Sequence, residues 1–197
     1  MQDPTAMSTS EAALWSAARQ ADERAFAGVF DLHRDRVFRH AMRLADTRAD
    51  AEDVVAMAFT DLWRRRDDVR VVDGSVLPWL LVTTTNHARN AGRGRRRYRT
   101  MLLGLPHTDE DDAAVVAVGR IEARERREAL RAAIAKLTPT DASLLLLTVV
   151  EGMSAVDAAA AVGVTHDAAR TRLTRARRKL RVLLEAAGVR MDTEAGQ

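Results

Sequence analysis

The 197-residue chain has 47% hydrophobic and 30% charged residues and a net charge of only +3, enough apolar material for two small cores or one larger one. It has no cysteine, which excludes disulfides and thiolate metal sites, and its strongest apolar run, Leu144–Val150, is far too short to span a bilayer. The opening MQDPTAMSTSEAALW lacks the basic start and apolar stretch of a signal peptide, so a cytoplasmic protein is expected, with Met7 a candidate natural start after a vector remnant.

Glycine and proline are scarce and Ala, Leu, Arg and Glu abound, which predicts an all-α chain. Asp22 is placed to cap a helix beginning near Glu23, whose apolar stripe is Phe26, Phe30, Val37, Ala41 and Leu44. Asp46–Asp50 reads as a break. A second helix opens on the acids of Ala51-Glu52-Asp53, buries Val54, Val55, Ala58, Phe59 and Leu62, and ends at Trp63 with three arginines. After a polar loop, Pro78 suits the first turn of a third helix, which runs from Trp79 into the arginine block 93–99 until Gly92 and Gly94 weaken it. Residues 1–21 are read as an N-terminal extension, 22–99 as one helical bundle and 100–119, with its DEDD run, as a flexible acidic linker.

Residues 120–188 are read as a second domain and 189–197 as a tail. Ile121–Leu137 is helical, with Leu130, Ile134 and Leu137 inward. Thr138-Pro139 starts a helix that stops near Glu151-Gly152, Ser154 caps a short one through Val162, and Gly163 breaks it. Thr165 caps a long last helix with Ala169, Leu173, Ala176, Leu180 and Leu183 on one face. A short helix, a glycine turn and a second helix make a helix-turn-helix. Residues 170–181 hold seven basic residues and no acid, which suits a helix lying in the major groove with arginines on bases and phosphates.

A second candidate surface is the polar run Thr83, Thr84, Thr85, Asn86, His87 and Asn90 leading into the arginine block, laid against a nucleic acid. A third is the acidic cluster Asp50, Glu52 and Asp53, which a protein partner could use. The histidines show no metal-ligand spacing and are read as surface or satisfied polar groups, so no metal and no cofactor is expected.

Taken together these residues resemble the sigma factors of bacterial RNA polymerase, extracytoplasmic-function group. The resemblance rests on Ala51-Glu52-Asp53 followed by Phe59, Leu62 and Trp63; on Trp79-Leu80 and Asn86; and on Arg175-Ala176-Arg177 with Leu180 in the last helix. It covers roughly Asp22–Leu184. It implies a non-enzymatic subunit that binds core RNA polymerase through the β′ clamp and β flap and recognises and opens promoter DNA. It further implies that Asp50, Glu52, Asp53, Ala56, Phe59 and Trp63 meet the polymerase. Thr83, Asn86, His87, Asn90, Arg93, Arg95, Arg96 and Arg97 would meet the minus-ten element. Thr165, His166, Arg170, Thr171, Arg172, Thr174, Arg175 and Arg178 would meet the minus-thirty-five element. The family often adds an anti-sigma factor as a partner, which no residue here identifies. Ala56, Asn90, Asp167 and Ala169 depart from the residues most frequent at those positions (Gln, Asp, Gly and Val).

Two other readings compete. An ordinary helix-turn-helix regulator explains Ser154–Leu184 equally well but not the two N-terminal signatures. A DNA-acting enzyme would need a nucleophile or a carboxylate cluster for metal, and Asp50, Glu52 and Asp53 do not converge obviously.

Overall fold

The structure, a computed structural model, describes the backbone of residues 4–102 and 118–189 and the side chains of 11–94 and 124–189. Residues 100–102 and 118–119 of the expected linker, 100–119, belong to helices, while 103–117 and the tail beyond 189 lie outside the described residues. Those residues are helical apart from loops and a single bridge between Val72 and Ser75. That bridge closes a two-residue turn in which Asp73 and Gly74 both have positive φ, as an Asp-Gly pair favours.

The first bundle contains α1 (Pro4–Arg19), α2 (Glu23–Leu44), α3 (Arg48–Arg64) and α4 (Leu77–Leu102). Asp22 caps α2, its carboxylate accepting from the N–H groups of Arg24 and Ala25. The buried stripe of α2 is Ala25, Val29, His33, Val37 and Ala41, repeating every four residues. Phe26 and Phe30 lie one residue, or about 100°, off that line and are only half-buried. On α3 the buried set is the expected one, with Ala51 added.

The residues before Asp22 do more than extend the chain. Trp15 and Ala18 of α1 are buried in the first core, and Gly28 of α2 lets the Leu14 side chain approach closely. Buried Glu11 accepts from His33 Nε2 at 2.8 Å, Ser75 Oγ at 2.9 Å and the Val76 N–H at 2.8 Å. Burial pushes the Glu11 carboxyl up, but these donors and the charge of His33 outweigh it and hold it below its ordinary value.

Two boundaries differ from expectation. Helix α3 starts at Arg48, not Ala51, because Thr47 and Asp50 form a reciprocal capping box that turns the supposed break into a helix start. Helix α4 continues through Gly92 and Gly94 to Leu102; glycine costs a helix about 1 kcal/mol, which does not by itself end one.

The second bundle contains α5 (Val118–Ala135), α6 (Pro139–Leu145), α7 (Ala155–Val162) and α8 (His166–Ala186). Ile134 and Leu137 are buried as expected; Leu130 is 40% exposed and Ala133 takes the inner position. Beyond α6 the chain widens into a π-turn, Leu146–Val150, where Glu151 N–H donates to Leu146 O five residues back. The β-branched run Thr148-Val149-Val150 disfavours a tight turn there, and Thr148 Oγ1 donates to Leu144 O.

The two bundles are not beads on a string. Leu81 of α4 and Val72 belong to the core built by α5–α8, and Leu44, Leu77 and Val82 pack against it. The second bundle therefore completes its core on α4.

A strained position offers a direct check. Ala21, just past α1, is held at φ 65°, a left-handed conformation that suits glycine. Ala21→Gly is expected to raise the stability of the chain by roughly 0.5–1 kcal/mol, the relieved strain less the entropy glycine adds to the unfolded state. A urea midpoint that stays put or falls would show that the turn is not under strain.

Candidate functional site

The helix-turn-helix is built by local capping. Ser154 Oγ accepts from Asp157 N–H at 3.1 Å and donates to the Asp157 carboxylate at 2.6 Å, starting α7. Gly163 ends it at φ 77°, with its own N–H and that of Val164 donating to Ala159 O. Thr165 Oγ1 then accepts from Ala168 N–H and starts α8. Ala159 and Ala169 are both buried, so small side chains sit where α7 and α8 pack. The buried face of α8 is Ala169, Leu173, Ala176, Leu180 and Leu184; Leu183 is only half-buried.

The opposite face of α8 exposes His166, Arg170, Thr171, Thr174, Arg175, Arg177 and Arg178. Thr171 and Thr174 donate their hydroxyl protons to carbonyls four residues back, leaving oxygen lone pairs outward. Arg172 behaves differently from its neighbours. It is half-buried and donates to Asp141 Oδ1 at 3.1 Å, tying α8 to α6. Its role in the structure is a brace, which a sequence lacking acids nearby gave no reason to expect.

On α3 the expected partner-binding acids separate. Asp50 is spent in the capping box, Glu52 pairs with Arg48 at 2.9 Å, and Asp53 is exposed. Ala56, Phe59 and Trp63 instead line a groove of about 450 Å³ with Glu23, Phe26, Phe30 and Thr60. Phe26 stacks obliquely on Trp63 at 4.9 Å and Phe30 meets Phe59 edge-on at 4.7 Å. Arg66 lies over the Trp63 ring at 4.8 Å. Phe26 and Phe30, expected on the apolar stripe of α2, do pack against the first core, but their offset from the Ala25–Ala41 line also turns them toward this groove.

On α4 the polar run divides by face. Thr84 and Thr85 are buried, with Thr85 Oγ1 donating to Leu81 O, so neither faces a ligand. His87 Nε2 is held by Asp61 of α3 at 2.9 Å. Thr83, Asn86 and Asn90 share one face, half-buried to exposed. Asn86 Oδ1 is buried with no hydrogen-bond partner among the described residues, a free acceptor beside that face. Arg93 donates to Asn90 Oδ1. The side chains of Arg95, Arg96 and Arg97 lie outside the described residues.

The contacts between the bundles join residues far apart in the chain and have no local signature. Glu151, at the end of the π-turn, points its carboxylate at α2. It accepts from His40 Nδ1 at 2.9 Å, Arg43 at 3.0 Å and Arg36 Nε at 3.2 Å, and Arg36 also donates to its carbonyl. His40 Nε2 meets Thr85 Oγ1 at 2.9 Å, and the Thr85 proton is already given to Leu81. Both ring nitrogens of His40 are thus engaged, one by each neighbour. Burial pushes the Glu151 carboxyl up, but the bond and charge of His40, and then those of Arg36, outweigh it and hold it at about 2.

Around this centre, cations of each bundle reach carbonyls at helix ends of the other. Arg131 of α5 donates to Met42 O and Arg43 O at the end of α2 and lies 3.7 Å from Asp46. Arg89 of α4, itself buried, donates to Ile134 O and Leu137 O at the end of α5. Arg70 donates to Ala160 O in the last turn of α7. Burial pulls the Arg89 guanidinium below its ordinary value, with nearby Arg93 adding to it; burial does the same to Arg131.

Comparison with known proteins places both bundles. A family model of sigma-70 region 2 matches residues 29–98, and one of sigma-70 region 4 matches residues 127–180. RNA polymerase sigma factor NccH of Alcaligenes xylosoxydans xylosoxydans is 28% identical over 96% of this chain and all of its own. ECF RNA polymerase sigma factor SigK of Mycobacterium tuberculosis is 27% identical over 94% of this chain and 99% of its own. The solved structure of CnrH in complex with the cytosolic domain of CnrY superposes with a TM-score of 0.56 at 25% identity, covering 90% of this chain and 98% of that one. Among the described residues no helix is long and apolar enough to cross a membrane.

The depressed Glu151 carboxyl sets a pH window. A folded-state value of about 2 against an ordinary 4.5 means that its contribution is complete above about pH 4.5 and is lost as the pH falls toward 2. Glu151→Gln is expected to flatten part of that acid limb in a plot of urea midpoint against pH, Glu11 supplying another part. An unchanged limb would mean that the carboxylate is not engaged by His40, Arg36 and Arg43.

Proposed function

This chain belongs to the sigma-70 family, in its extracytoplasmic-function group, and from that premise we propose that it joins core RNA polymerase in the cytoplasm, reads the minus-ten and minus-thirty-five promoter elements and opens the strands. Sigma factors are initiation factors rather than enzymes, so the chain supplies recognition and strand opening while the polymerase supplies the chemistry.

The observation that carries the reading is the outer face of α8. It presents Arg170, Arg175, Arg177 and Arg178 in the open behind a left-handed glycine turn, with no acid along residues 170–181. A merely solvated helix gains from mixed charges, whereas a uniformly basic one suits a polyanion. In the minus-thirty-five element the first turn of α8, with Thr165, His166 and Arg170, would approach base edges in the major groove. Thr171, Thr174, Arg175 and Arg178 would hold the flanking phosphates and bases. Arg172 stays with Asp141 and positions the helix.

For strand opening, Thr83, Asn86 and Asn90 offer hydrogen bonds along one face of α4, continued by Arg93 and the arginines after it. A base drawn from the stack costs a few kcal/mol, which new hydrogen bonds must offset. The free Asn86 acceptor suits an amino group of such a base. His87, fixed by Asp61, borders this face. Polymerase docking would use the aromatic groove of Ala56, Phe59 and Trp63 with Phe26 and Phe30, lined also by Glu23 and Thr60, with exposed Asp53 on α3.

Run-off transcription on genomic promoter fragments, with bacterial core polymerase and with or without this chain, tests the reading. New transcripts from defined starts are expected. No transcripts and no binding to core polymerase, with duplex DNA bound by the chain alone, would establish a regulator instead. Arg175→Ala and Arg178→Ala should each weaken use of minus-thirty-five-dependent promoters by about 1–3 kcal/mol where the arginine reads a base, or lower the salt slope of DNA binding by about 0.9 where it holds a phosphate. Core binding should be spared. Equal transcription and an equal salt slope would reject the arginine footprint.

A further inference from the structure

Helix α4 carries the face of Thr83, Asn86 and Asn90, yet its start is completed from another helix. Its first turn holds no acid. The N–H of Val76 donates to Glu11 Oε1 at 2.8 Å, that of Leu77 to Ser75 Oγ at 3.1 Å, and Pro78 has none. Ser75 Oγ donates to the same Glu11 oxygen at 2.9 Å, and His33 Nε2 of α2 reaches that oxygen at 2.8 Å. Helices α2, α3, α6, α7 and α8 are each capped by a side chain within three positions. For α4 the anionic acceptor comes from 65 positions away. A carboxylate there suits the positive end of a helix.

The same oxygen fixes the turn before α4. Val72 and Ser75 exchange both backbone hydrogen bonds, and between them Asp73 and Gly74 take φ 49° and 72°. Val72 is buried while its neighbours Val71 and Asp73 are exposed. A positive φ at a residue with a side chain persists where the surroundings over-determine it, and the Glu11–Ser75 bond closes that frame. Thr83 follows Leu77 by only about 9 Å of helix rise, so the turn stands at the head of the opening face.

We propose that Glu11 is a positioning residue for promoter opening: from α1 it ties the turn at 72–75 and the head of α4 to α2, so that the face of Thr83, Asn86 and Asn90 meets a displaced strand already in place. This inference rests on the promoter reading above and deepens it. A base leaving its stack is best compensated by partners that need no ordering of their own. Glu11 acts through Ser75 and the Val76 N–H rather than by touching DNA. Trp15 and Ala18 anchor α1 in the first core without it, so its loss should loosen the turn rather than release the helix.

Two measurements on the full chain test this. In hydrogen exchange read by mass spectrometry, Glu11→Ala should speed amide exchange across residues 72–80 and leave α8 unchanged. Run-off transcription with bacterial core polymerase is then compared on a duplex promoter that the unaltered chain transcribes and on the same promoter mismatched, and so already open, across its minus-ten region. Per polymerase-bound chain, Glu11→Ala should lose roughly fivefold or more on the duplex and less than about twofold on the mismatched template. A smaller folded fraction would lower both alike. Glu11→Gln keeps the shape and drops the charge; it serves if Glu11→Ala does not fold, with smaller losses confined to the duplex in the same way.

Unchanged exchange at 72–80, no loss on the duplex, or equal losses on both templates overturns the proposal and leaves the promoter reading standing. An unaltered chain that transcribes no promoter fragment, duplex or mismatched, removes the promoter reading and the opening role of Glu11 together.

Discussion

A carboxylate taken out of water needs donors on every side, and the described residues that supply them to Glu151 all stand on another bundle. Removing one partner of such a buried pair leaves an uncompensated charge, which commonly costs several kcal/mol. The position of α2 against the π-turn is fixed by that demand, and the apolar contacts of Leu81, Val72 and Leu77 follow from it. Once α2 and the π-turn are registered, α4 lies on α6 and α7, and Arg89 falls within reach of the end of α5.

The cations at the boundary obey one rule. A helix leaves its last carbonyls without intrahelical partners and carries partial negative charge at that end. Arg131, Arg89 and Arg70 each meet such an end in the other bundle. The interface is thus capping chemistry carried out between bundles instead of within one helix. It is directional, it involves few apolar side chains beyond the α4 stripe, and water can replace it piece by piece.

Much of this was legible in the chain itself, because capping and periodicity are local. Asp22, Ser154, Thr165 and Gly163 mark helix ends through bonds to residues within a few positions, and the stripes of α3 and α8 follow from side-chain spacing. What was not legible depended on distant partners. Nothing near Glu151 announces that His40, Arg36 and Arg43, more than a hundred residues earlier, will surround it. Arg172 looked like its exposed neighbours because its partner, Asp141, lies 31 positions away. Asp50 resembles a surface acid unless Thr47, three residues upstream, is recognised as the other half of a capping box. Phe26 and Phe30 pack against the first core from its edge, because the deeply buried line of α2 follows the quieter four-residue repeat of alanine, valine and histidine.

The crowding of like charge on α8 has a further result for the unbound protein. Arg170, Arg175, Arg177, Arg178 and Arg181 are all exposed within three turns, and no acid along residues 170–181 offsets their mutual repulsion. Such self-repulsion works against the folded helix and is relieved by added ions. Dissolved salt therefore acts with opposite sign on the two states of one surface. It steadies α8 when the helix is alone and loosens its hold when a polyanion lies across it. For this helix, nucleic acid is in effect its missing counter-ion atmosphere, concentrated into a single ligand.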